Sequence, residues 1–363
     1  RGGRGKGRAG VSENSSGPQR VAYFDVLRIL ATFAVVALHL SAQHWADTDV
    51  SSNAWQAFNL YDSAVRWAVP VFVMISGALF LSGTQSIGHI LKKNVARIIA
   101  AFAFWSALYA LYMAKVNDCP PDIALQQFFN GHYHMWFLFM IVGLYLLVPL
   151  LRPIVRDEAL LRWFLLVTLL FSFLFPQIAA YLSLFSWEES AKFKALVGNF
   201  YYHFTLGFTP YFVLGYYMSR KEFSRRAEHI IYALGVLGFV LTIVMTSFAS
   251  RRIDTATELF YGYDTFNVLF VCLAVFLFAR NHLNFPKLGE VGHARIRALS
   301  RWSFGAYLVH PMFIEALDHF WGFNTLSLNV FLSVPLLTLL IGTAAFLVSA
   351  LLHHAPFVRK YFV

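Results

Sequence analysis

One apolar stretch, YFDVLRILATFAVVALHLSAQ, holds three titratable side chains: Asp25, Arg28 and His39. Asp25 and Arg28 are three residues apart, close enough on a helix to pair. Arg28 and His39 are eleven apart, which is three turns plus about 20°, so both project from one face with a rise of about 16 Å between them. A guanidinium suits phosphate or carbonyl oxygens, and an imidazole kept neutral in a low-dielectric setting can take a proton from a hydroxyl. The same residues also suit a snorkelling arginine and a packed polar histidine.

Other candidates follow along the chain. Asp62 and Arg66, an i,i+4 pair, open the stretch WAVPVFVMISGALFL, whose Pro70 and Ser76-Gly77 indicate a bent or closely packed helix. Lys92, Lys93 and Arg97 cluster in KKNVAR, as a solvated basic flank or as a phosphate-binding group. GHYHMWFL carries His132, His134 and Trp136; two histidines at i,i+2 do not share a helix face, so an outward polar cluster is expected ahead of zinc binding. In SFGAYLVHPMFIEALDHF, His310 is too deep to be an interfacial anchor and needs a partner, with Pro311 next and Glu315, Asp318 and His319 beyond. His353, His354, Lys287, Arg295 and Arg297 read as interfacial or loop residues without chemistry. Cys272 sits in an apolar run and Cys119 in a polar one, with no C-x-x-C or His/Cys metal spacing, so no metal is expected.

The elements that position these groups are set by composition. Of 363 residues, 58% are apolar and 13% charged, against roughly 25% charged in soluble domains. That excludes a soluble enzyme, a secreted disulfide scaffold and a disordered chain, and makes the bilayer the solvent. An all-α integral membrane protein of about ten transmembrane helices is expected, near 22–43, 62–82, 94–115, 134–151, 162–183, 200–219, 229–249, 261–280, 302–320 and 328–352. The sixth carries His203 and Pro210 and has the least certain ends. With both termini cytoplasmic, only Lys115, Lys192, Lys194, Arg251 and Arg252 of the 29 Lys and Arg fall outside, while Arg28 and Arg66 lie within spans. The net charge of +10 is then a positive-inside signature and does not call for nucleic acid. Trp45, Trp55, Trp67, Trp136, Trp187 and Trp321 fall near span ends, as an interfacial belt would. Residues 1–20 read as a disordered basic cytoplasmic tail without a cleavable signal, 21–355 as the polytopic domain and 356–363 as a short cytoplasmic tail.

Four segments in order, RVAYFDVLRILATFAVVALH, SAVRWAVPVFVMISGALFL, HMWFLFMIVGLYLLVPLLR and SFGAYLVHPMF, resemble acyltransferase family 3, the integral membrane O-acyltransferases. The likeness runs from residue 20 to about 355 and is nearest to the branch containing the enterobacterial common antigen O-acetyltransferase. It implies transfer of an acyl group, usually acetyl, from cytoplasmic acetyl-CoA to a hydroxyl of a cell-surface glycan or its glycolipid precursor, at a bacterial inner membrane. Arg28 and His39 match the family's essential Arg and His. Its paired arginines before the third span match Asn94 and Arg97, so the first position departs, and Lys92 or Lys93 supplies the charge. On this reading His39 is the base, or a transient acyl carrier, with His310 and Arg28 also catalytic. Arg28, Lys93 and Arg97 hold the donor, and Arg66, Trp136 and Ser303 contact the acceptor; Tyr133 is a further stacking candidate. Membrane lipids, acyl-CoA and the glycan are the expected partners. Ten spans with buried charges also suit a proton-coupled transporter or flippase of a lipid-linked sugar, although no inverted repeat relates the two halves.

Overall fold

The structure, a computed structural model, describes residues 21–116, 120–199 and 207–363. The basic tail at 1–20, Cys119 and His203 lie outside the described residues. Among the described residues every regular element is helical. In chain order these are α1 (Ala22–Ala42), α2 (Asn53–Val65), α3 (Ala68–Ser82), α4 (Ala96–Val116), α5 (Pro121–Asn130), α6 (Trp136–Arg156), α7 (Glu158–Leu169) and α8 (Phe175–Phe185). They continue as α9 (Trp187–Gly198), α10 (Thr209–Arg220), α11 (Arg225–Ile253), α12 (Phe266–His282), α13 (Glu290–Trp321), α14 (Val330–Leu352) and α15 (Pro356–Tyr361). A single turn at Ile87–His89 and a π-helical stretch, Ile90–Val95, lead into α4.

Seven stretches among the described residues are long and apolar enough to cross a membrane: Ala22–Ala42, Asn53–Ser82, Ile87–Val116, Trp136–Arg156, Glu158–Phe185, Arg225–Ile253 and Val330–Leu352. The chain is a multi-pass membrane protein. Three of the ten expected spans fall outside this set for separate reasons. The span at 200–219 runs partly through residues that are not described. The span at 261–280 is the shorter apolar helix Phe266–His282. The span at 302–320 is the far part of α13, whose first turns carry Glu290, Arg295 and Arg297. A tenfold crossing with both ends in the cytoplasm stays an expectation.

α1 is the most buried of the seven and α11 the least, so α1 runs through the centre and α11 lies at the rim. Leu27, Ala31, Val35, Val36 and Leu40 of α1 are buried, against α13, α14, α2 and α3. Lipid tails are as apolar as leucine, so helices here associate by close contact between small residues. α3 and α10 form the tightest such pair. A Cβ on Gly77 would run into the Phe212 carbonyl, and one on Gly215 into the Met74 backbone.

The belt reading of the tryptophans holds only in part. Trp187 and Trp321 are exposed, but Trp45 and Trp55 are buried, 5.8 Å apart as stacked rings, with Trp45 also against Tyr261. Residues 43–52 fold back over α2, which turns two expected interfacial anchors into core.

Candidate active site

A single cavity of about 670 Å³ runs between α1, α3, α4, α6 and α13. Its two ends differ in chemistry. One end is basic: Arg97 at the start of α4, Arg301 on α13, His353 just past α14 and Arg359 on α15. Asn94 lines it, and Lys93 does not. Arg97 also donates to the Val363 carbonyl, and Trp105 Nε1 to that of Phe362 at 2.9 Å, which ties the segment after α15 to this end. Arg28 lines the cavity with Ser76 and Tyr145. Asp25 lies 3.5 Å from Arg28 and accepts a 2.6 Å bond from the Ser300 hydroxyl, so the acid of the expected pair also ties α1 to α13.

The other end gathers His39, His134, Arg66, Trp136, Tyr263 and Tyr307. Arg66 is buried. Its Nη2 donates to Asp62 at 2.8 Å, and its guanidinium lies 4.1 Å above the Tyr261 ring. Trp136, Phe208 and Tyr263 form a facing aromatic group, with ring centres 5.3 to 6.5 Å apart. Ser303 lines the cavity, but its hydroxyl bonds back to Leu299 O at 3.3 Å.

His39 has its tautomer dictated by a chain of partners. Its Nδ1 lies 2.7 Å from His310 Nε2, and His310 Nδ1 lies 2.7 Å from the Tyr307 carbonyl. A carbonyl only accepts, so His310 carries its proton on Nδ1 and presents a lone pair at Nε2. His39 must then donate from Nδ1, which leaves His39 Nε2 as a lone pair in a cavity-lining residue. The origin of this chain is legible in the sequence. The residue after His310 is Pro311, which has no N–H to bond the carbonyl four residues back. That carbonyl is Tyr307 O, the acceptor His310 uses.

His132 and His134 sit in the turn before α6, not on it. The helical argument that separated them therefore does not apply, and their Nδ1 atoms are 3.1 Å apart. His132 Nε2 lies 2.8 Å from Glu315 Oε1, and the Tyr307 hydroxyl donates to the His134 backbone carbonyl at 2.5 Å. Among the described residues no group of three or more His, Cys, Asp or Glu has metal-holding geometry.

The structure thus places Arg28, His39, Arg66, Arg97, Trp136 and Ser303 on one cavity, with His310 directly behind His39. Lys93 is exposed outside it. Sequence reasoning missed Arg301, Arg359, Tyr263 and Tyr307. It also set His353 aside as interfacial, and that is corrected here: His353 lines the basic end. α13 begins twelve residues before the apolar span it was expected to match, and this extension carries Arg301 onto the cavity.

Residues 21–354 match the family model described as an acyltransferase domain, and the chain belongs to that family. No curated protein and no solved structure matches it.

Proposed function

We propose that this member of the acyltransferase family is an O-acetyltransferase of the bacterial inner membrane. It moves acetyl from cytoplasmic acetyl-CoA to a hydroxyl of a cell-surface glycan or its lipid-linked precursor, as in the common-antigen branch. The observation that carries the reading is the single cavity with cations at one end and an unprotonated imidazole nitrogen at the other.

Each end suits one substrate. Arg97, Arg301 and Arg359 meet the phosphates of the donor, since guanidinium groups bind phosphate oxygens in pairs of charge-assisted bonds. Arg28 takes the next polar part of the arm. Arg28 and His39 are separated by about 16 Å of helix rise, so the thioester end of a long, thin donor reaches His39 while its nucleotide stays at the basic mouth. Trp136, Tyr263 and Phe208 offer flat apolar faces to a sugar ring, and Arg66 offers donors to its hydroxyls. His39 Nε2 takes the proton of the acceptor hydroxyl as the oxygen bonds to the acyl carbon and the C–S pair leaves with sulfur. Ten crossings with both ends in the cytoplasm put the basic mouth inside and the imidazoles near the outer face.

The test is a thermal-shift titration of the solubilised protein with acetyl-CoA, CoA and ATP, for wild type and Arg97→Ala. A ligand at a hundred times its Kd stabilises the fold by about 2.7 kcal/mol. A saturable shift with both CoA species, absent with ATP and reduced in Arg97→Ala, is expected. No shift with any CoA species across a wide range refutes the reading and favours a sugar transporter.

A further inference from the structure

His39 is not the only imidazole with a lone pair turned to the cavity. Glu315 Oε1 accepts from His132 Nε2–H at 2.8 Å, so His132 presents a lone pair at Nδ1. His134 Nδ1, 3.1 Å away, must then be the donor, which leaves His134 Nε2 unprotonated. That nitrogen is buried and bonded to no protein atom, and His134 lines the cavity. The two chains end differently. Behind His39 stand His310 and a backbone carbonyl, both neutral. Behind His134 stands a carboxylate. An imidazolium is therefore compensated at His134 and not at His39.

We infer that Glu315, His132 and His134 form the proton relay that discharges the reaction, and that His134 is a further catalytic residue of it. The inference rests on the acyl-transfer reading above. As the acceptor oxygen bonds to the acyl carbon, its proton goes to His39 Nε2 and the C–S electron pair leaves with sulfur. The ring centres of His39 and His134 are 6.4 Å apart, room for one water or substrate hydroxyl to pass the proton to His134 Nε2. His134 Nδ1–H then moves to His132, and His132 Nε2–H to Glu315. Glu315 is 28% exposed and gives the proton to water, while the thiolate takes one from water at the basic mouth. One proton is released and one bound per acetyl moved. The groups facing His134 are His132 and Tyr133 from its own turn, His39 from α1, Tyr109 from α4, and Tyr307, the Leu308 carbonyl and His310 from α13. The Leu308 carbonyl already accepts from Tyr109 at 2.8 Å, and the nearby Arg66 is neutralised by Asp62.

The test measures thiol release from acetyl-CoA in solubilised wild type, His134→Ala and Glu315→Gln, with the acetyl-CoA thermal shift as the check on fold and donor binding. The expected result is an unchanged shift, turnover lower by roughly a hundredfold in His134→Ala, and recovery in proportion to added imidazole, which leaves wild type unaffected. Glu315→Gln keeps the bond to His132 without the charge, and turns over slowly with its rate limb moved to higher pH. Should His134→Ala lose the shift, Glu315→Gln decides alone. Wild-type turnover and an unchanged pH profile in the folded variants overturn the relay, as does a loss in His134→Ala that imidazole leaves untouched. A wild type that neither binds nor consumes acyl-CoA overturns the acyl-transfer reading itself and the relay with it.

Discussion

Replacing Pro311 by alanine is expected to stabilise the protein and slow it. Proline inside a helix costs about 3 kcal/mol relative to alanine, through the missing hydrogen bond and the clash with the preceding turn. Pro311 lies in the interior of α13, so Pro311→Ala restores an N–H aimed at Tyr307 O. The gain in unfolding free energy is some fraction of 3 kcal/mol, because the bent helix must straighten within its neighbours. The same N–H competes with His310 Nδ1 for that carbonyl, now held at 2.7 Å. A net hydrogen bond is worth about 0.5 to 1.5 kcal/mol. If all of it falls on the tautomer that leaves His39 Nε2 free, turnover drops roughly 2- to 13-fold at 1.36 kcal/mol per factor of ten. The assay pairs thermal unfolding with thiol release from acetyl-CoA. A variant that is more stable and at least as fast would refute the claim that the carbonyl sets the imidazole chain.

Four further outcomes follow from the geometry. His310→Ala leaves a buried His39 N–H without its acceptor, a cost of about 1 to 3 kcal/mol or roughly 5- to 160-fold in turnover; His310→Gln, whose side-chain oxygen reaches the same place, should recover most of it in the same thiol assay. Asp62→Asn strands the buried Arg66 guanidinium at a cost of about 3 to 5 kcal/mol, read as a lowered unfolding midpoint that Asp62→Asn with Arg66→Met partly restores. Gly77→Val drives a side chain into the Phe212 backbone and parts α3 from α10, which should show as loss of the monodisperse peak on size-exclusion chromatography, while Gly143→Ala, which meets open space, is silent. Arg301→Ala should raise the Kd for CoA and flatten its salt dependence, since a phosphate contact at a solvent-filled mouth is screened by ions.

The sequence carried the spine of the site and lost its periphery. Arg28 and His39 are locked together by helical arithmetic alone, and both line the cavity. His310 was recognised as needing a partner, and the partner is His39. What failed had a physical cause in each case. His132 and His134 were judged by helix spacing, yet they occupy a turn where successive rings can meet. His353 looks like a span-end residue because its relation to Arg97 and Arg301 is set by tertiary packing. Trp45 and Trp55 resemble interfacial anchors until a loop folds over α2 and buries them. Tyr263 and Arg359 carry no local signature, being placed by a loop and by a short helix after the last span. Pro311 was readable in principle: a proline frees the carbonyl four residues before it, and here a histidine one residue before it makes use of that carbonyl.

The π-helical stretch Ile90–Val95 bears on how this chain can vary. A π turn is an α turn with one residue added, and it rotates all that follows by about 100°. Deleting one residue between Ile90 and Val95 would let the chain relax to an unbroken α-helix, at little cost in apolar content. The deletion would also swing Arg97 from the cavity toward the lipid, together with the face of α4 behind it. A gap of one position at this point of an alignment is therefore a change of phase, and a relative that carries one must draw its basic mouth from a different column of residues.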